Sequence, residues 1–447
     1  MYKHNSEYLK RQESEVQSIR CWQFLRELLG EMNKLIDRRL VRTFLDLVQI
    51  ILINRHRNNG LLLSELGDFL LGGKHGPAGT KRISNLIHSK GWKSKIIDEF
   101  LWKQGDERVE ALLSPKDDIY VLWDESVIEK SESLAAEGLC AVRSSKAARL
   151  KRIKPGYFNP PGGRPIFVHG MNWLQVLVTG PRGCVTLAHL RWWTTRGEKA
   201  SDKRTEELQV LDRVAKMWGN WVIHIWDRGF AGVPWLLQVL KRNIRFIVRW
   251  KKDYKLIGPD GQAKKAWQIT RGKRSQGHRE IYDCKRRCMR TTGIIAVPVF
   301  LPDEPSRQLW LVVSRPGHGR TPWYLLTSDP IQSTDDAWRV TFAYARRWQI
   351  EMSIRFTKSE LAFECPRLLL WETRKKLLLI AALSYAFLLS LLQFDHDPLF
   401  DRLIDLVCFR TGKWSRAVST PLYRLRLAFS RLWLAYRPIS LPLLDSG

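Results

Sequence analysis

Tyr344, Arg347, Glu351 and Lys358 follow the spacing Tyr-x2-Arg-x3-Glu-x6-Lys. On one helix, turning about 100° per residue, they share a stripe roughly 60° wide. Ala343, Ile350, Ile354 and Leu361 form an apolar edge beside it, suited to a core. A carboxylate among a guanidinium, an ammonium and a phenol can hold a divalent metal and a phosphodiester together. The same pattern also fits a solvated charged face, so the chemistry needs further carboxylates.

Two-metal phosphodiester chemistry places ions about 4 Å apart among clustered acids. Strand ends make rigid mounts for such acids. I-Y-V-L-W-D (119–124) and W-V-I-H-I-W-D (221–227) each read as a hydrophobic strand ending in Asp. Glu125 would face the opposite side of the sheet, which leaves Asp124 as the candidate. In a chain with 45 acidic residues an Asp–Asp–Glu trio means little alone. Two strand ends plus Glu351 on a patterned helix give it meaning. His224, inside the second strand, reads as a core residue rather than a ligand.

The elements that must position these acids divide the sequence. Residues 1–110 read as helical and basic, the N-terminal part. L-S-E-L-G-D-F-L-L, a turn rich in glycine (Gly72, Gly73, Gly76, Gly79) and T-K-R-I-S-N-L-I-H resemble a helix–turn–helix with a long turn. Ile83, Leu86 and Ile87 would face inward there, leaving Lys81, Arg82, Asn85 and His88 as candidates for contacting a DNA end. Residues 111–250 mix strands and crossover helices, an α/β layer. Strands at 174–179 and 184–190 would pair across Gly180–Gly183, a polar helix would span 202–218, another Val233–Lys241, and a strand 246–250. Residues 251–330 read as a β-rich insertion, with a hairpin of Leu309–Ser314 and Thr321–Ser328 around P-G-H-G-R. Residues 331–395 return to helix, carrying Glu351 and then a packing helix. Residues 396–447 form a basic helical tail.

Lys and Arg number 74, leaving a net charge of +29 over 447 residues. With 44% hydrophobic residues this is a folded protein held against a polyanion, nucleic acid before an acidic membrane. Leu377–Leu392 is apolar, but its sixteen residues fall short of the roughly 20 that a membrane span needs. It reads as a buried helix covering a sheet. The start, M-Y-K-H-N-S-E-Y, lacks the apolar core of a signal peptide. Seven scattered cysteines (Cys21, Cys140, Cys184, Cys284, Cys288, Cys365 and Cys408) suit a reducing cytosol. His278 with Cys284 and Cys288 fits no common zinc spacing. Most of the 20 tryptophans read as packing residues.

Taken together, these motifs resemble the insertion-sequence transposases of the IS-four group, a branch of the DDE transposases. The resemblance lies in the Tyr344, Arg347, Glu351 and Lys358 spacing, in D-R-G-F (227–230), in W-D-E-S (123–126), and in P-W-Y-L-L-T-S-D-P (322–330) leading to Y-A-R-R-W-Q-I-E (344–351). It covers about 119–394. It implies an α/β fold: an RNase H-like catalytic core interrupted by a β-rich insertion, with a helical N-terminal DNA-binding domain and a helical C-terminal tail. It also implies that Asp124, Asp227 and Glu351 bind two Mg²⁺ or Mn²⁺. Tyr344, Arg347 and Lys358 would grip phosphates beside the scissile bond, and Arg346, off the stripe, would face other DNA or solvent. Trp323 would stack a flipped base at the transposon end.

The implied partners are double-stranded DNA, namely terminal inverted repeats and target, and a second copy of the chain in a homodimer. No membrane and no organic cofactor is expected, and the expected place is the bacterial cytosol. The implied reaction is cleavage at each transposon end followed by attack of the 3′-hydroxyl on target DNA, with a hairpin intermediate as an option. A nuclease that cuts without rejoining would keep the same acids. A non-catalytic DNA-binding regulator would not need carboxylates that repel phosphate.

Overall fold

Five helices precede the first strand: α1 (Tyr2–Asn33), α2 (Arg38–Ile53), α3 (Leu63–Leu71), α4 (Gly76–His88) and α5 (Lys95–Leu113). The computed structural model describes residues 2–114, 117–131, 135–144, 156–159, 165–283, 287–317, 320–393, 398–407 and 422–439. Asp37 starts α2 by accepting the Arg39 N–H at 2.8 Å. Glycine lets α3 and α4 meet closely. A Cβ on Gly79 would lie 2.2 Å from the Gly67 carbonyl oxygen, and one on Gly67 would lie 2.4 Å from the Thr80 nitrogen. Of the four glycines expected in the turn, Gly72 turns the chain with φ of +85°. Gly76 and Gly79 instead lie inside α4, where their missing side chains make room for α3.

The following strands and helices are β1 (Ile119–Glu129), β2 (Cys140–Arg143), β3 (Tyr157–Phe158), β4 (Phe167–Thr179), β5 (Thr186–Trp193), α6 (Lys203–Trp218), β6 (Val222–Trp226), α7 (Val233–Lys241) and β7 (Arg245–Arg249). Next come β8 (Lys255–Ile257), β9 (Ala263–Lys265), α8 (Ala266–Thr270), β10 (Gly277–Asp283), β11 (Cys288–Leu301), β12 (Glu304–Arg315) and β13 (Trp323–Thr327). The chain continues through α9 (Thr334–Arg346), α10 (Trp348–Ser359), α11 (Trp371–Ser390), α12 (Pro398–Val407) and α13 (Leu422–Ala435).

Among the described residues, all thirteen strands belong to one sheet, ordered β2-β4-β1-β6-β7-β13-β12-β11-β8-β9, with β3 and β5 also on β4 and β10 on β11. The β-like runs after residue 250 therefore extend the sheet that carries the two aspartates. Its centre, β1-β6-β7, is parallel. β1 is longer than its hydrophobic run because β4 pairs with it antiparallel as far as Glu129. Asp124 thus lies within β1, two residues past the last β1–β6 pair, Leu122 with Ile225.

Alternation along the strands separates two cores. Tyr120, Leu122, Ile223 and Ile225 join the helices α2, α9, α10 and α11 on one face. Ile119, Val121, Trp123, Val222 and Trp226 join α6 and α7 on the other. The apolar segment expected to cover a sheet is α11, buried against α2 and α5 as well as β5. Lys376 and Arg374 on it are also buried: Lys376 donates to the Ser89 carbonyl at 2.8 Å, and Arg374 to that of Glu137 at 2.7 Å. Among the described residues no helix is long and apolar enough to cross a membrane.

The close crossing of α3 and α4 is open to a direct check. Gly79→Ala is expected to lower stability by about 1–3 kcal/mol through overpacking against backbone. Gly73→Ala, where the added carbon meets nothing within 4 Å, should stay within about 0.5 kcal/mol. Urea denaturation compares the two, and equal effects would show that the helices do not need the contact.

Candidate active site

Strand register brings the two aspartates together. β1 and β6 pair in parallel with Ile119 beside Val222 and Leu122 beside Ile225. The same offset, carried on two residues, puts Asp124 beside Asp227. β7 continues the row, because Trp226 pairs with Val248 and the next step places Asp227 beside Arg249. Period-2 alternation turns Asp124 toward the face of Tyr120 and Leu122, where α10 packs. Asp227 stands just past β6 in a tight turn, its Oδ1 accepting the Gly229 N–H at 2.6 Å. A Cβ on Gly229 would approach that oxygen to 2.8 Å, so the D-R-G sequence suits the turn.

Glu351 reaches the same place from α10. The buried Gln175, paired across the sheet with Asp124, donates to Ser353 Oγ at 2.7 Å, two residues from Glu351. Ser353 is hydrogen-bonded in turn to the buried Tyr385 of α11. Gln175 and Ser353 were missed in sequence. They are single polar residues in apolar runs and become linked only through long-range pairing.

Arg347 joins the acids. Its Nη1 lies 3.3 Å from Asp124 Oδ2, and its Nη2 donates to Glu351 Oε1. Tyr344 backs it, with the guanidinium 5.8 Å from the ring centroid. Burial is the largest influence on Arg347 and opposes its charge, but Tyr344, Glu351 and Asp124 outweigh it and raise its pKa. Asp124 is pushed up to about 7, chiefly by burial. Arg347 counteracts this, while the charges of Asp227 and Glu351 add to it.

The stripe is not one straight helix. α9 ends and α10 begins at Arg347, where the Arg347 N–H bonds to the Tyr344 carbonyl at 3.0 Å and the Ile350 N–H to the Arg347 carbonyl at 3.1 Å. These i to i−3 bonds tighten the turn and change the rotation between Tyr344 and Glu351. Tyr344 consequently faces inward and is only 4% exposed, with its hydroxyl held by Arg249 and Arg347. Trp323, the first residue of β13, packs edge-to-face on Tyr344 at 5.1 Å between ring centroids. Arg249 lies 5.9 Å from the Trp323 ring. Arg249 was missed in sequence, although F-I-V-R repeats the pattern of an apolar strand ending in a charge. Lys358 lies two turns beyond Glu351 and pairs with Glu364 at 3.7 Å.

Other candidate residues are placed as follows. Lys81, Asn85 and His88 are exposed on α4, over buried Ile83, Leu86 and Ile87. Arg82 turns toward α2 instead, 3.5 Å from Thr43 Oγ1, and there, after Arg42, it partly offsets the burial that pushes Asp46 up to about 6. Arg346 is half-buried and anchored within the fold. It donates to Thr179 Oγ1 and the Gly183 carbonyl, both at 2.7 Å, and so clamps the β4–β5 turn. His224 is a core residue, accepting from Trp123 Nε1 at 3.1 Å, and burial pushes its pKa down to about 3. Cys284 and Cys408, and the tip of the P-G-H-G-R turn, lie outside the described residues.

Among the described residues no three His, Cys, Asp or Glu side chains already stand close enough to chelate an ion. The chemistry of the donors nonetheless fits Mg²⁺ or Mn²⁺. Asp124, Asp227 and Glu351 offer only oxygen, and their mutual repulsion is what a divalent cation relieves.

Because burial lifts Asp124 from the ordinary carboxylate value near 3.8 to about 7 in the fold, the folded state holds an extra proton between these limits. Its ionisation therefore lowers stability as pH rises from about 4 to about 7. Asp124→Asn should stabilise the metal-free protein at pH 8, by on the order of 1–4 kcal/mol, and change little at pH 4. Urea midpoints at the two pH values check this, and destabilisation at pH 8 would contradict it.

Comparison with known proteins bears on this arrangement. The family model of the transposase DDE domain matches residues 162–387, just over half of the chain. The match contains Asp227, Trp323, Tyr344, Arg347, Glu351 and Lys358 and begins after Asp124. No curated protein matches. Among solved structures, the cryo-EM structure of the piggyBac transposase synaptic complex with hairpin DNA is 12% identical, covering 89% of this chain and 76% of that one at a TM-score of 0.41. A likeness that slight carries no argument. The family match and the length it spans show that this chain belongs to the transposase DDE domain family.

Proposed function

We propose that the protein is a DNA transposase of the IS-four kind, acting by cutting DNA at transposon ends and joining the 3′-hydroxyl ends to target DNA. The observation that carries this reading is that adjacent parallel strands bring Asp124, on β1, beside Asp227, just past β6, with Arg347 linking Asp124 to Glu351. In this reading the parallel strands and α10 form an RNase H-like core, and the strands after residue 250 are its insertion.

Asp124, Asp227 and Glu351 would hold two Mg²⁺ or Mn²⁺, which supply the Lewis-acid charge that phosphodiester hydrolysis requires. The chain's own groups do the rest. Arg347 neutralises two carboxylates in the free protein. When a DNA phosphate arrives it exchanges them for phosphate oxygens, to which its planar fork is matched. Tyr344 and Arg249 hold Arg347's surroundings rigid, so the phosphate is met by a preset donor array. Lys358 adds a point charge farther along the strand. Trp323, whose ring is already braced by Tyr344 and Arg249, provides a platform for an unstacked base at the transposon end. Lys81, Asn85 and His88 face outward to read a terminal repeat, and a homodimer would pair the two ends.

Glu351→Gln should keep its affinity for a duplex carrying the inverted repeats that flank the gene and lose Mg²⁺-dependent cleavage. Cleavage at wild-type rate would remove Glu351 from the site. Arg347→Ala should slow strand transfer from a precut 3′-hydroxyl end by about 100-fold, the usual cost of losing one preorganised charge donor. An unchanged rate would assign Arg347 only to the acids of the free protein.

A further inference from the structure

Behind the sheet, opposite the acidic row, one lysine touches both aspartate-bearing segments. Glu125 follows Asp124 and points to the face covered by α6. Lys203, in the first turn of α6, bonds the Glu125 carboxylate and lies 3.5 Å from Glu207 Oε1. Glu207 is fully buried and held by Arg204 at 2.5 Å. Burial first, and then the charge of Glu125, push the pKa of Glu207 up, against the opposing charges of Lys203 and Arg204. The Lys203 ammonium also lies 5.4 Å from the centre of the Phe230 ring. Phe230 is buried at the end of the turn that begins with Asp227, its N–H bonding the Asp227 carbonyl at 3.3 Å. The start of α6 is itself fixed, because Asp202 accepts the N–H groups of Arg204 and Thr205 at 2.8 and 3.1 Å.

Paired backbone does not fix the distance between Asp124 and Asp227. The β1–β6 ladder ends at Leu122 and Ile225, and both aspartates lie beyond it. We infer that Lys203 is a positioning residue that sets their spacing from behind, holding β1 through Glu125 and the Asp227 turn through Phe230. Its charge also offsets that of Glu125, which would otherwise add to the repulsion around Asp124. This role rests on the reading of Asp124 and Asp227 as metal ligands.

The test uses the full chain. Mn²⁺ affinity is measured by electron paramagnetic resonance, and kcat and KM for Mg²⁺-dependent cleavage on the inverted-repeat duplex. Lys203→Met keeps the stem and removes the charge. It should weaken Mn²⁺ binding and lower kcat by about tenfold or more, leave KM for DNA unchanged, and be largely rescued in Lys203→Arg. Wild-type Mn²⁺ affinity and kcat in Lys203→Met would overturn the inference. Should Lys203→Met fail to fold by circular dichroism, Phe230→Leu replaces it, with the same drop in Mn²⁺ affinity expected and an unchanged affinity overturning the inference. Glu351→Gln, run alongside, separates the two levels. Loss of Mn²⁺ there with Lys203→Met unaffected sinks only the role of Lys203, whereas wild-type behaviour in Glu351→Gln sinks the metal site itself.

Discussion

Bringing Asp124 of β1, Asp227 just past β6 and Glu351 of α10 toward one guanidinium is the constraint on which this structure turns. Like charges at such range repel, and burial at Asp124 makes the cost larger. The free protein answers with one guanidinium, Arg347, placed between Asp124 and Glu351. In the proposed reading, this guanidinium later exchanges the acids for a phosphate when charged ligands arrive. The tight turn at Arg347 follows from this. It aims the guanidinium at the acids while Tyr344 is driven inward to support it.

The rest of the fold serves that placement. Parallel register brings the segments carrying Asp124, Asp227 and Arg249 side by side, although both aspartates lie just beyond the last β1–β6 pair. The Gln175–Ser353 bond ties α10 to the strand beside Asp124. Buried cations farther away do structural work: Arg426 donates to the carbonyls of Ile51 and Asn54, both at 2.7 Å, and joins α13 to the end of α2. A large positive charge is thus spent in two ways. Some cations are consumed in holding helix ends together, and others, such as Lys81 on α4, face outward, where a polyanion can meet them.

Much of the fold could be read from the sequence where local signals decide it. The helix Val233–Lys241 begins after Gly232 with Pro234 in its first turn and has the bounds its apolar pattern suggests. The strands ending near Asp227 and Trp250 are hydrophobic runs closed by a polar or charged residue. What stayed hidden depends on distant partners. β1 runs on past Asp124 because β4 is long enough to pair with it. Gly76 and Gly79 look like turn glycines until a second helix is laid across them. Arg346 and Arg347 are adjacent and chemically identical, yet one clamps a β-turn and the other joins the acids. Nothing short of the tightened turn between α9 and α10 separates them. The same reason hid Arg249, whose neighbours in space lie 74 and 95 residues away at Trp323 and Tyr344.

The central claim is that three acids from distant stretches form one divalent-cation site. Anomalous diffraction from crystals of the protein grown with its terminal DNA and soaked in Mn²⁺ tests it most directly. The account predicts manganese peaks bounded by the side-chain oxygens of Asp124, Asp227 and Glu351, with the Arg347 guanidinium moved off the acids and onto a phosphate. Saturating Mn²⁺ that leaves this position empty, with Arg347 still bridging Asp124 and Glu351, would contradict it.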